Sequence, residues 1–243
     1  SSSLQNLQTI WIGKNVEYIY KTIFNKTNYN ANLQIYIFAE NANYYIMNNI
    51  LFERNTNTYW NSSSSTRTRL TSSHVYGDTL LSCPASNSFD TYLIPNHVYK
   101  IEESAFKLAN ISNVKISNRP DFVVSSSAFN TSTGCININF PSNFNNEIMD
   151  NTFSSSASLA SVTFDEGCQI TSFGTTPFSQ GTDSSEKSDN FTHFNIVKNV
   201  TELNDTFRYN LSLREIKFNS PSELTTINTN AFSNMHDLSL IHI

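Results

Sequence analysis

Two apolar patterns recur along this 243-residue chain. A repeat constrains a fold more than any single motif does, because every unit must form the same local structure and pack on its neighbours. The first pattern is a six-residue block with apolar residues at positions one, four and six. The second is an apolar residue followed by phenylalanine five positions later, or four in one unit. The blocks span 7–12, 111–116, 135–140, 159–164, 191–196, 213–218 and 238–243, and the phenylalanines are Phe24, Phe106, Phe129, Phe153, Phe178, Phe207 and Phe232.

The intervals between these phenylalanines show that the patterns are in register. From Phe106 onward they are 23, 24, 25, 29 and 25 residues, and the long interval contains the polar stretch "GTDSSEKSDN". Positions four and six of each block are two residues apart, so they face the same side of a strand. Such a short strand buries its apolar face only by stacking on its neighbours. We therefore predict an α/β repeat solenoid, a right-handed superhelix with one short parallel strand per 23–25-residue repeat and phenylalanine filling the space behind the sheet.

The region between Phe24 and Phe106 departs from the period. "YYIMNNILFERNTNTYW" alternates around Asn48-Asn49 and again around an Asn-Thr turn, as paired hairpin strands do, and "NSSSSTRTRLTSS" has the composition of a loop. We predict repeats at 1–37, an irregular insertion of hairpins and loop at 38–92, and repeats again at 93–243, as a fragment of a longer array.

The repeat unit resembles the BspA-like leucine-rich repeat of bacterial and protist surface proteins. The resemblance rests on "YLIPNHVYKIEESAF", "LTTINTNAF" and "VVSSSAF", and on the tyrosine-rich hairpin and Pro-Ala turn of "NYYIMNNILFERN" and "SCPAS". The glycine usual before Ala-Phe in that family is replaced by Glu102, Ser125 and Asn228. The resemblance implies a leucine-rich-repeat fold and a role in adhesion and in host or partner binding.

Composition and motifs argue against several function classes. The net charge of −5 provides no basic surface for nucleic acid, and no apolar run is long enough for a membrane helix. None of the five histidines lies in a catalytic or zinc motif, and Asp165-Glu166 reads as a solvated turn rather than a cation site. We therefore expect neither catalysis nor a metal or cofactor.

The cysteines and the glycosylation sequons do not determine the compartment. Cys83, Cys135 and Cys168 allow one disulfide and one free thiol, but Cys135 occupies an apolar block position and reads as a small buried hydrophobe. Eight Asn-x-Ser/Thr sequons are present, yet the Asn, Ser and Thr content predicts about eight by chance. Two functions stay open: an extracellular or cell-surface binding domain, and a structural scaffold in a cytoplasmic or cytoskeletal assembly.

The candidate binding surface is the outward face of the strands. Alternation within each block points the residues between the apolar positions toward solvent. That face is rich in hydrogen-bonding side chains, which suits a protein or glycan ligand better than lipid. The predicted ligand-binding residues are Trp11, Lys115, Asn139, Thr163, Asn195, Lys217 and His242.

The last block, 238–243, carries no charge cluster or proline that would protect a strand edge. Solenoids usually need capping units with a polar outer face. We expect flanking repeats or a partner to cover this C-terminal edge strand.

Overall fold

A computed structural model of the chain describes residues 7–20, 23, 33–55, 58–61, 66–69, 77–84, 86–87, 89–107, 109–180 and 190–242. For 58–61, 66–69 and His242 only the backbone is described. These residues contain eighteen strands and no α-helix. The strands are β1 (Thr9–Ile12), β2 (Gln34–Ile37), β3 (Tyr44–Met47), β4 (Ile50–Glu53), β5 (Thr58–Asn61), β6 (Thr66–Arg69), β7 (Asp78–Ser82), β8 (Thr91–Leu93), β9 (Val98–Ile101), β10 (Asn113–Lys115), β11 (Val123–Val124), β12 (Asn137–Phe140), β13 (Ser161–Phe164), β14 (His193–Ile196), β15 (Glu202–Leu203), β16 (Glu215–Phe218), β17 (Thr226–Ile227) and β18 (Leu240–His242).

The chain is a solenoid of about eight turns. The six-residue blocks form a row of parallel strands along it, here named the first row, which confirms the predicted parallel strand in each repeat. This row consists of three sheets. The first is the pair β1 and β2, the second contains β8, β10, β12 and β13, and the third contains β14, β16 and β18. The register joins equivalent block positions, as in Val114, Ile138 and Val162. These three side chains are buried, whereas their strand neighbours are half-buried or exposed. β8 belongs to this row, so the block at 89–94 is a repeat unit that the sequence pattern did not include.

A second row of parallel strands was not predicted. β7, β9 and β11 pair in order, β15 pairs with β17, and an isolated parallel bridge joins Ile148 to Phe173. Ile101, Val124, Leu203 and Ile227 each lie in one of these strands. They are the apolar residues that precede phenylalanine in the second sequence pattern. Each repeat therefore has up to two strands, because the apolar residue that precedes phenylalanine also lies in a strand, and that strand pairs with the equivalent strand of the next turn.

The phenylalanines of the second pattern form one continuous stack inside the solenoid. Successive ring centroids lie 4.7, 5.4, 5.6, 5.6 and 5.9 Å apart from Phe106 to Phe232. Every ring except Phe232 is fully buried. Phe24 lies outside the described residues. The predicted placement of these rings on one face is confirmed, and stacked pairs contribute about 0.5–1.5 kcal/mol each beyond the burial of their area.

Tight turns, rather than helices, complete each described repeat. Ser104, Ser127, Asn151 and Thr176 all have positive φ and lie two residues before a stacked phenylalanine. A left-handed residue at this point interrupts helical geometry. The α/β prediction implies a helix in each repeat, but the described repeats contain no α-helix. Their return segments are short and contain a left-handed residue instead.

The insertion forms hairpins that join the second row. β3 and β4 pair around Asn48 and Asn49, whose φ values of 53° and 55° fit a type I′ turn. β4 then pairs antiparallel with β7, which pairs parallel with β9. The predicted second hairpin was wrong in its pairing, since β5 pairs with β6. The loop predicted over 61–73 was also wrong at β6, because Thr and Arg there alternate in a strand against β5.

Candidate functional site

The outward face of the first strand row brings most of the predicted site residues into two lines. Lys115, Asn139 and Thr163 are aligned across β10, β12 and β13. Asn195, Lys217 and His242 are aligned in the same way across β14, β16 and β18. Asn139 is half-buried, and the other described side chains of these two lines are exposed. Trp11 lies apart from both lines, on β1. The role of these residues in binding stays a prediction.

Trp11 is part of an exposed aromatic cluster. Its side chain is 65% exposed, and its ring stacks on Tyr36 of β2 with centroids 4.5 Å apart and planes 16° from parallel. Phe38 lies 6.1 Å from the Trp11 ring and is 49% exposed. Large exposed rings in contact are unusual on a solvated surface, because their burial would be favourable. Sequence reasoning missed Tyr36 and Phe38, although Tyr36 alternates with the apolar Ile35 and Ile37 and so had to face outward.

Away from this aromatic cluster, much of the outward face is occupied by hydrogen bonds between repeats. The Asn113 amide donates to the carbonyl of Asp90, and the Asn137 amide donates to Asn113 Oδ1 over 2.8 Å. The Ser161 hydroxyl donates to Asn137 Oδ1 over 2.7 Å. These bonds form a side-chain ladder along the solenoid.

Asn139 and Thr163 belong to a second line of such bonds. The Asn139 amide donates to Thr163 Oγ1 over 3.1 Å and to Asp165 Oδ1 over 3.0 Å. A ligand would have to compete with these bonds. Asn139 and Thr163 are therefore positioned to support the sheet as much as to contact a partner.

The charged residues of the face form a small network at β14 and β16. Glu215 accepts from Lys217 Nζ at 3.2 Å and lies 3.2 Å from His193 Nε2. His193 Nδ1 is also 2.8 Å from Thr192 Oγ1. The surface ion pair between Lys217 and Glu215 contributes little to stability. The contacts with Thr192 and Glu215 hold the His193 ring on the strand face.

The strand row is interrupted between β13 and β14. Each is the edge of its own sheet, and no backbone ladder between them occurs in the described residues. The turns remain joined behind the gap, where Phe164 packs against Phe194 at 6.2 Å and Thr201 donates its N–H to the Thr171 carbonyl. The interruption coincides with the longest repeat interval.

Two adjoining clefts open at this interruption. The first, here named the strand cleft, has a volume of about 360 Å³, and Ser161, Thr163, Asn190, Thr192, His193 and Asn195 are among its lining residues. The second, the turn cleft, has a volume of about 570 Å³ and is lined by Asp165, Glu166, Lys198 and Asn199 among others. Phe164, Val197 and Asn219 line both. Neither cleft was foreseen, because no local pattern shows that two neighbouring strands fail to pair.

Other polar clusters support the fold. Tyr45 donates to Asp78 Oδ2 over 2.9 Å, and its oxygen lies 2.9 Å from His97 Nε2. Burial and the neighbouring Asp78 carboxylate raise the pKa of Tyr45. A tyrosine held in its neutral form between these two groups is a weak nucleophile and a weak base, and it ties the insertion to the first regular repeat.

The three cysteines are free and buried. Burial raises the pKa of Cys83 and Cys135 to about 12, which keeps them as unreactive thiols at neutral pH. The interpretation of Cys135 as a small buried hydrophobe is confirmed. Within the described residues no group of three His, Cys, Asp or Glu side chains is arranged to hold a metal ion, so Asp165 and Glu166 have no third ligand of that kind.

The described part of the chain contains no apolar helix of membrane-spanning length. Two solved structures share the fold. A leucine-rich repeat protein from Eubacterium ventriosum aligns with a TM-score of 0.62 at 18% identity, covering 97% of this chain and 57% of that one. The pneumococcal vaccine antigen PcpA aligns with a TM-score of 0.60 at 13% identity, covering 98% of this chain and 56% of that one. The chain thus spans little more than half the length of each, and at these identities the likeness concerns the fold alone.

Comparison with curated proteins finds no match. The sequence profile of the BspA type leucine rich repeat region matches residues 83–185 and 181–243 in six copies. That match covers well over half of the chain and coincides with the strand and phenylalanine registers described above. The chain belongs to the BspA type leucine-rich repeat family.

Proposed function

We propose that this chain is a non-catalytic binding domain that presents its outward strand face to a protein or glycan partner at the cell surface. Its family membership supports protein binding as the general role. One observation carries the proposal further: Trp11, Tyr36 and Phe38 form an aromatic cluster on the strand face, where large apolar surfaces stay exposed to solvent in the isolated chain. Aromatic side chains of this kind are frequent anchors of protein interfaces.

The outward strand face has a region whose polar groups bond to one another and regions whose groups are available to a partner, and this difference supports the same conclusion. Between β8 and β13 the outward amides and hydroxyls bond to one another, so they provide a rigid and solvated surface. The aromatic cluster and the region around β14 and β16 offer groups that a partner could use. Lys115 and Lys217 are exposed and would serve as peripheral charges that affect association rate more than affinity.

The test is binding of the purified full chain to cell monolayers and to immobilised extracellular-matrix proteins. Trp11→Ala and Tyr36→Ala should each weaken binding by about tenfold or more, as expected for an interface anchor. Tyr20→Ala is the matched control, because Tyr20 is 69% exposed but lies outside the strand row. Absence of wild-type binding, or equal binding by the Trp11 and Tyr20 variants, would contradict the proposal.

A structural scaffold inside the cell is the second candidate, and the three free thiols favour it, because extracellular domains more often contain disulfides. Protease treatment of intact source cells separates the two locations. Digestion of the chain by protease added to intact cells supports surface display. Resistance to the protease until the cells are lysed supports the intracellular scaffold.

A further inference from the structure

The strand cleft differs from the rest of the outward face in the availability of its polar groups. On β10, β12 and β13 the side chains of Asn113, Asn137 and Ser161 are bonded from one repeat to the next. The ladder ends at Ser161, because β14 is not paired with β13. Beyond the gap, the carboxamides of Asn195 and Asn219 bond to no other described side chain or backbone group. The interruption of the sheet therefore leaves free amides beside a concave part of the face.

The chemistry of the strand cleft is neutral and amphipathic. Asn190, Asn195 and Asn219 contribute carboxamides, each with two donors and one acceptor oxygen. The half-buried ring of Phe164 and the side chain of Val197 provide an apolar floor. His193 is held by Thr192 and Glu215, and among the described lining residues it alone has a titratable side chain. Asp165, Glu166 and Lys198 lie in the adjoining turn cleft.

These features match a sugar better than a peptide. Vicinal hydroxyls both donate and accept, as carboxamides do, and the C–H face of a sugar ring packs on an aromatic floor. A volume of about 360 Å³ lies within the range of small-molecule sites. An inserted peptide strand would require β13 and β14 to stand two strand spacings apart, about 9.6 Å. Cα atoms of β13 and β14 approach within 8 Å of each other, which is closer than such an insertion allows.

We propose that the strand cleft between β13 and β14 binds a neutral saccharide, with the Asn195 and Asn219 carboxamides bonding its hydroxyls and Phe164 packing against its ring. This rests on the proposed binding function and deepens it by naming a glycan as the ligand of one subsite. The aromatic cluster at Trp11 is on a different sheet and takes no part in this subsite.

The experiment is an NMR titration of the ¹⁵N-labelled full chain with neutral tetrasaccharides of glucose, N-acetylglucosamine, mannose and galactose at millimolar concentrations. At least one should shift the side-chain amide signals of Asn195 and Asn219 and leave that of Asn113 unchanged. Asn195→Ala and Asn219→Ala should each weaken that binding about three- to tenfold, the effect of one hydrogen bond. Asn113→Ala is the matched control, because Asn113 lies on the same face with its amide already bonded.

Two outcomes overturn this inference. The first is no amide shift with any of the four saccharides, whether or not an extended Gly-Ser peptide shifts the same amides. The second is unchanged saccharide affinity in the Asn195→Ala/Asn219→Ala double variant with its spectrum otherwise intact. Adhesion that still depends on Trp11 in either of these cases would leave the proposed function standing. If the wild-type chain binds neither a saccharide nor the cell monolayers and matrix proteins, both proposals are contradicted.

Discussion

The regular repeats at 89–180 and the hairpin region at 38–55 and 77–84 use strands in opposite ways. In the regular repeats a strand buries one face, and β12 alternates between half-buried and buried residues. In the hairpin region β4 and β7 are buried on both faces. Phe52 and Leu80 face the main core that contains the phenylalanine stack, while Leu51 and Leu81 face a separate core.

This second core joins the hairpin to the first turns of the solenoid. It contains Ile12, Leu33 and Ile35 from the β1 and β2 region and Tyr44 from β3, with Leu51 and Leu81 from β4 and β7. The hairpin sheet is therefore a partition between two cores. A one-sided strand requires alternation, whereas a two-sided strand requires a continuous apolar run. "ILF" in β4 has that form, and β7 has the adjacent apolar pair Leu80-Leu81.

The largest effect should come from the phenylalanine stack. Phe153→Ala removes a fully buried ring that contacts Phe129 and Phe178, so it should lower the free energy of unfolding by about 3–5 kcal/mol. Chemical denaturation measures this value. Phe38→Ala is the control, because that ring is half exposed and its loss should change stability by less than about 0.5 kcal/mol. A loss under about 1 kcal/mol for Phe153→Ala would show that the ring is not part of the core.

A smaller and more local effect should follow from Leu51→Ala. This residue is fully buried in the second core, and its truncation should cost about 3 kcal/mol. Because the main core does not contain Leu51, we expect amide hydrogen exchange to accelerate in β1, β2 and β3 and to stay slow around Phe129. Equal acceleration in both regions would mean that the two cores unfold as one unit. Leu93→Ala, at an exposed leucine, is the control.

The smallest effect distinguishes the left-handed turns of the two regions. Ser127 has a φ of 58° in a regular repeat, and Asn48 has a φ of 53° in the hairpin turn. Serine tolerates this conformation less well than asparagine, so Ser127→Gly should raise the thermal stability by about 0.5 kcal/mol while Asn48→Gly should be close to neutral. Differential scanning calorimetry compares the two. Destabilisation by Ser127→Gly would show that the serine side chain contributes more than the backbone strain costs.

Much of the solenoid could be predicted because its information is local. The spacing of Val114, Ile138 and Val162 determines which strand face is buried, and the spacing of Phe106, Phe129 and Phe153 determines that one ring per turn enters the core. Outward exposure of Trp11, Lys115 and Lys217 follows from the same alternation. The Asn48-Asn49 turn predicted the first hairpin for an equally local reason, since asparagine tolerates positive φ.

Only the tertiary structure decided several of the strand pairings. Alternation does not identify the partner of a strand, so it does not determine that β5 pairs with β6, that β4 pairs with β7, or that β13 and β14 do not pair at all. The aromatic cluster depends on the registration of Trp11 with Tyr36 across β1 and β2, and the strand cleft depends on a missing ladder beside Asn195. Local periodicity specifies the face of a residue, and the packing of whole turns specifies what lies beside it.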